Sequence, residues 1–110
     1  MKIKRNLIER IDIADFAERH DLTIVVRERN INDMNELNIK DSFYAYFEGA
    51  EIKRDACLSS DFGGGNSEEG AISDYANRIS GRLLVFNAYG RDRHEIQAPY
   101  LSYSPKKRGK

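Results

Sequence analysis

The sequence predicts one α+β domain in two layers, an antiparallel sheet with two helices on one face, in the order α-β-β-β-α-β-β. Three observations carry this. Residues 12–20 and 67–80 place apolar side chains at helical spacing behind a capping residue. Between and after them run alternating, β-branched or aromatic stretches of strand length. The strands are linked by short bends and polar turns, which favour antiparallel neighbours with the helices packed on one side.

The elements follow in order. Asp12 is a helix-capping residue with an acid, Asp15, at the third position, and Ile13, Phe16 and Ala17 share a face. His20 then stands where a basic group complements a helix C-terminus. Residues 22–29 are rich in Ile, Val and Thr and read as a strand. Residues 30–42 hold four asparagines and read as a long loop, long enough to serve as a binding loop through Asn32 and Asn35. In Phe43-Tyr44-Ala45-Tyr46-Phe47 the alternation places Phe43, Ala45 and Phe47 on one face and Tyr44 with Tyr46 on the other. Glu48-Gly49-Ala50 marks a bend, and residues 51–60 continue as strand with a break near Arg54-Asp55.

The run Gly63-Gly64-Gly65-Asn66-Ser67-Glu68-Glu69 reads as a tight turn opening a helix. Three glycines allow positive φ, and Asn66 as N-cap with Glu69 three places on makes a capping box. Ala71, Ile72, Tyr75, Ala76 and Ile79 form the apolar stripe of the helix over residues 67–80, and Gly81 is the expected left-handed C-cap. Residues 82–89 and 94–98 read as strands joined by the polar turn 90–93, and Pro99 ends the second. The domain spans residues 1–104 and residues 105–110 form a basic, disordered tail.

Composition bounds the function. Hydrophobic residues make up 40% and charged residues 33% of the 110, ordinary for a soluble globular domain. No apolar run reaches the length of a membrane span, and the basic N-terminus is followed by mixed charge instead of a signal-peptide stretch. The single cysteine, Cys57, excludes an internal disulfide, fits a reducing cytoplasm and reads as a small core residue of a strand. Net charge is zero but uneven. Lys106, Lys107, Arg108 and Lys110 are four of the 18 bases, and the tail has none of the 18 acids, so the rest of the chain stands at −4. Such a body is a poor phosphate-binding surface, although the tail could touch nucleic acid.

No catalytic constellation stands out. The three glycines lack the Lys-Ser/Thr pair of a P-loop, and Glu68 and Glu69 would repel a phosphate there. Two histidines and one cysteine give no metal-ligand spacing, and the serines have no nucleophile-elbow context. The sequence therefore predicts a protein with no catalytic residues, cofactor or metal. The residues that point outward are Tyr44 and Tyr46, a pair of the kind that anchors protein interfaces, and Arg91 and Arg93, which could hold phosphates of a nucleotide.

Two resemblances add to this. Helix, three strands, then a glycine-rich turn entering a helix with Glu68-Glu69-x-Ala71 spacing resembles the double-stranded-RNA-binding domain over residues 12–80. That family places lysines at the start of its second helix, where this chain has Ser67, Glu68 and Glu69, so the resemblance implies the fold without RNA binding. The segments Phe47-Glu48-Gly49-Ala50-Glu51-Ile52, Ala71-Ile72-Ser73-Asp74-Tyr75-Ala76, Ile79-Ser80-Gly81-Arg82-Leu83-Leu84-Val85 and Arg93-His94-Glu95-Ile96 are similar to small proteins of bacteriophages and prophages. This implies a phage-associated accessory protein in the host cytoplasm, of the kind that binds and blocks host defence proteins. The expected partner is a host protein, held by Tyr44, Tyr46 and the asparagine loop. The alternatives are nucleic acid held by the tail, a nucleotide held by Arg91 and Arg93, and a second copy of the chain.

Overall fold

The computed structural model describes residues 9–30 and 41–105 and shows an α+β architecture. The elements are β1 (Ile11–Asp12), α1 (Ile13–Arg19), β2 (Ile24–Glu28), β3 (Phe43–Phe47), β4 (Ala50–Arg54), β5 (Cys57–Ser59), β6 (Gly63–Gly65), α2 (Glu68–Ile79), β7 (Leu83–Phe86), β8 (His94–Gln97) and β9 (Leu101–Ser102). Five short strands therefore lie between the helices, where the sequence predicts three. They belong to two antiparallel sheets, β2-β3-β6 and β5-β4-β7-β8, while β1 and β9 form a parallel pair. Among the described residues no helix is long and apolar enough to cross a membrane. Asn32 and Asn35 of the predicted loop lie outside the described residues, as do Lys106, Lys107, Arg108 and Lys110.

The change of sheet happens at the bend the sequence marks. Gly49 takes φ +78°, and the chain passes from β3 in one sheet to β4 in the other. The Gly49 carbonyl accepts from the Asn87 amide at 3.1 Å, so the bend is tied to the end of β7. The predicted strand 51–60 is a hairpin, reversed where Asp55 adopts φ +54°. Cys57 stands just after that reversal and is exposed, so it does not pack in the core as the sequence predicts. It pairs with Arg54 directly across the reversal, at the solvent-exposed tip of the hairpin.

The core is built around Phe47, which is fully buried. Its ring lies 6.1 Å from Phe16 of α1, 5.5 Å from Tyr75 of α2 and 6.4 Å from Phe86 of β7. Both helices thus cover the Ala45–Phe47 face of β3, the side the alternation assigns to the interior. Asp12 caps α1 as predicted, its carboxylate accepting from the Ala14 amide at 2.8 Å. Ile13 and Phe16 on α1, and Ala71, Tyr75, Ala76 and Ile79 on α2, are buried.

The glycine run is a correction. Gly63–Gly65 is not a left-handed turn but strand β6, paired with β3 through Phe43↔Gly65, Tyr44↔Gly64 and Ala45↔Gly63. Positive φ among the described glycines occurs at Gly49 and Gly81 instead. The absence of a side chain serves close approach. A Cβ on Gly63 would lie 2.6 Å from Tyr75 Cα and closer still to the Tyr75 nitrogen and the Ala71 carbonyl oxygen. One on Gly65 would lie 2.7 Å from the Ala71 nitrogen. Helix α2 rests its backbone directly on this strand.

Pairing holds the chain extended through Gly65, so the helix starts later than predicted. Ser67, not Asn66, is the N-cap, and its hydroxyl accepts from the Gly70 amide at 3.0 Å. Glycine at that third position leaves no capping box. At the other end Gly81 has the predicted positive φ, +71°. Ser80 joins α2 to β9, donating to the Ala76 carbonyl at 2.7 Å and accepting from the Leu101 amide at 2.8 Å. Asp74 covers the outer edge of β6, accepting from the Gly64 amide at 2.9 Å and from Arg78 Nε at 2.8 Å. Burial pushes its carboxyl up, but those two bonds outweigh burial and hold it below the usual carboxylate value. Tyr75 lies inside, and desolvation pushes its phenol up to about 12 despite a bond from the Phe47 backbone.

Candidate functional site

The face of β3 turned away from the helices carries Tyr44 and Tyr46, both half-buried. Their rings lie nearly parallel with centroids 6.0 Å apart. On β2, Arg27 donates from Nε to the Tyr46 hydroxyl at 3.3 Å. Phe62, exposed just before β6, meets Tyr44 edge-on at 5.7 Å. The guanidinium of Arg29 sits 4.5 Å from the Tyr44 ring centre and 5.3 Å from that of Phe62, within the range at which an aromatic face attracts a cation. The open side of β3 is therefore an aromatic wall.

A second wall faces it. Strand β7 ends at Phe86 and not at Tyr89, because Asn87 takes φ +54° and starts a turn closed by the Gly90 amide on the Asn87 carbonyl at 2.9 Å. Asparagine tolerates that left-handed conformation better than most residues. Within the turn, Tyr89 is 92% exposed and stands free of the core. Between the walls runs a groove of about 960 Å³, floored by Phe47, Gly49 and Ala50. Tyr44, Tyr46, Phe62 and Tyr89 supply its rings, and Glu51, Asp61, Asp92 and Arg91 its charges. That volume is at the upper end of the range for ligand pockets.

A smaller hollow of about 350 Å³ adjoins it, and Gly49 and Asn87 line both. It holds the only two histidines of the chain, His20 and His94, with Glu48 and Thr23. His20 follows α1 as its C-cap, with its ring 4.7 Å from that of Phe16. His94 stacks on Phe86 at 5.2 Å, and its Nδ1 is 2.9 Å from the Asp92 carbonyl. A carbonyl only accepts, so Nδ1 carries the hydrogen and the neutral ring keeps Nε2 as acceptor. Among the described residues no group of three or more His, Cys, Asp or Glu side chains could hold a metal ion.

The structure brings Tyr44, Tyr46 and Arg91 into one groove. It does not bring Arg91 and Arg93 together there. Arg93 reaches the Ala88 carbonyl at 3.5 Å and pairs with Glu95 at 3.4 Å. Phe62, Glu51 and Asp92 are groove residues that the sequence does not single out. For Phe62 a signal was present, an aromatic side chain immediately before a glycine run. Glu51 and Asp92 look like any surface acid until β4 and the turn after β7 are set side by side.

Compared with known proteins, the chain matches no family model, and no curated protein or solved structure is significantly similar to it.

Proposed function

We propose that this protein is a stoichiometric binding protein that takes a segment of a partner protein into the groove between β3 and the turn after β7. The partner is a host protein, in line with the resemblance to phage accessory proteins. One observation supports the reading above the others: four aromatic rings, two of them exposed, converge on one open groove of about 960 Å³. Tyrosines with an apolar ring and a polar tip are enriched at the centres of interfaces, where loss of one residue often weakens binding by about 2 kcal/mol or more.

The test is capture from host lysate followed by variants of the groove. Tyr89→Ser is the cleanest, since a side chain 92% exposed has no part in the core. Tyr44→Ser with Tyr46→Ser removes the facing wall. Both are expected to fold and to lose the partner, and hydrogen exchange in the wild-type complex should show protection at β3 and at residues 87–92. Capture that survives both variants would end this reading. Capture that collapses with salt and on loss of Lys106, Lys107, Arg108 and Lys110 would indicate nucleic acid instead. Capture lost only with Arg91→Ala and Arg93→Ala would indicate a nucleotide.

A further inference from the structure

We infer that the groove is built for a cationic side chain, and that its occupant is an arginine-bearing segment of the partner protein. The inference rests on the groove being the binding site and adds the chemistry of what enters it. Three carboxylates line the groove against a single base, Arg91. Of the three, Asp61 is already paired, accepting from Arg54 at 2.7 Å. Glu51 and Asp92 have no cationic partner among the described residues; Glu51 meets only the Ser60 hydroxyl, at 3.5 Å. Two unpaired carboxylates beside a wall of aromatic faces attract a cation twice over, through charge and through the ring quadrupoles. An anionic ligand meets the opposite at that end of the groove: it would have to approach Glu51 and Asp92, with Arg91 the one base of the lining and Arg29 set against Tyr44 and Phe62.

The choice of arginine follows from the wall itself. Arg29 already lays a guanidinium over Tyr44 and Phe62, which shows that these rings are spaced for a flat cation. A guanidinium stacks on aromatic faces, presents a fork of donors to a carboxylate and is less strongly hydrated than an ammonium, so it enters such a groove at lower cost. With Arg29 on those two rings, a partner arginine would stack on the exposed ring of Tyr89 and direct its donors to Glu51 or Asp92.

The probe is a blocked pentapeptide carrying two arginines, with counterparts carrying two lysines or two glutamates. Each is titrated into the intact protein and followed by amide chemical shifts. The arginine peptide is expected to move the amides of Tyr44, Glu51, Phe62 and Asp92, to bind at least threefold tighter than the lysine peptide, and to weaken as salt is raised. Glu51→Gln with Asp92→Asn should reduce its affinity about tenfold or more while leaving the melting temperature unchanged, because both side chains lie at the surface and pair with no base. The inference is overturned if the glutamate peptide binds as well as the arginine peptide, if the lysine peptide binds more tightly, if no peptide shifts these amides at millimolar concentration, or if the double variant binds like wild type. These failures are separable from failure of the groove as a site. A partner lost with Tyr89→Ser but retained by the carboxylate variant would leave the groove in place and remove the arginine.

Discussion

Alanine at Gly63 is expected to be among the most damaging single changes in this chain. The new Cβ would sit 2.6 Å from Tyr75 Cα and nearer still to the Tyr75 nitrogen and Ala71 carbonyl oxygen, distances real Cβ atoms do not show. Those obstacles are helix backbone, which cannot rotate aside as a side chain can. Overpacking a filled site costs about 1–3 kcal/mol, and a backbone obstacle places this case at the upper end, about 3 kcal/mol. For a domain of this size that lowers the melting temperature by something on the order of 10–20 °C. The sign is informative as well as the size. Gly63 lies outside the left-handed region, so without the obstruction alanine would stabilise by about 0.4–1 kcal/mol through the unfolded chain. Gly64→Ala is the internal control, because the nearest atoms to its Cβ would be those of the Asp41 side chain, which is exposed and can swing away. It should change stability by no more than about 1 kcal/mol in either direction. Gly65→Ala, against the Ala71 nitrogen, should fall between the two. Urea melts of the three variants decide the matter. A Gly63→Ala protein as stable as wild type, beside a Gly64→Ala protein that is not, would refute the close-approach argument.

Three further outcomes follow from the same structure. Ser67→Ala should cost about 1 kcal/mol by leaving the Gly70 amide without its cap, whereas Asn66→Ala should cost at most a few tenths; equal losses in denaturant melts would return the cap to Asn66. The folded value of the Tyr75 phenol lies above its unfolded value of 10.0, so the unfolded chain loses that proton first and stability falls as pH rises from 10 towards 12. The contribution is about 2–3 kcal/mol across that window, and Tyr75→Phe should flatten that part of the alkaline limb; parallel curves for the two proteins would contradict it. For Asp74 the shift is the other way, so its contribution is present above its usual value of 3.8 and fades as pH falls through the lower folded value. Asp74→Asn should cost about 0.5–1 kcal/mol at pH 7, discounted because the side chain is 37% exposed, and the gap from wild type should close in acid melts below about pH 4.

Local patterns in the sequence disclosed local structure well. The Asp12 cap, the inward Ala45 and Phe47, the apolar stripe of α2 and the left-handed Gly81 all follow from spacing within a few residues. What stayed hidden depends on contacts between distant segments. A missing Cβ serves a positive φ and a close backbone approach equally, and only the position of α2 over β6 tells which applies at Gly63. Asn66 and Ser67 are both good caps, and the pairing of Gly65 with Phe43 decides between them. The face of Tyr44 and Tyr46 was legible from alternation. The groove was not, because Phe62 before β6 and the Tyr89–Asp92 stretch after β7 reach it from separate parts of the chain. Nor was the pairing of His20 with His94 in one hollow, which no spacing along the chain announces.

The parallel pair of β1 and β9 bears on how this chain is made. Ile11 lies opposite Leu101, and Arg10 donates to the Leu101 carbonyl across 91 residues of sequence. A ribosome adding roughly 5–20 residues per second needs about 5–18 s to travel that interval. During that time Ile11 is already synthesised, while Leu101, its partner across the parallel pair, does not yet exist. Among the described strands, β1 therefore waits longest for its pairing partner. It is the segment on which a chaperone would act, and a translational pause at any point between residues 12 and 101 would lengthen that exposure.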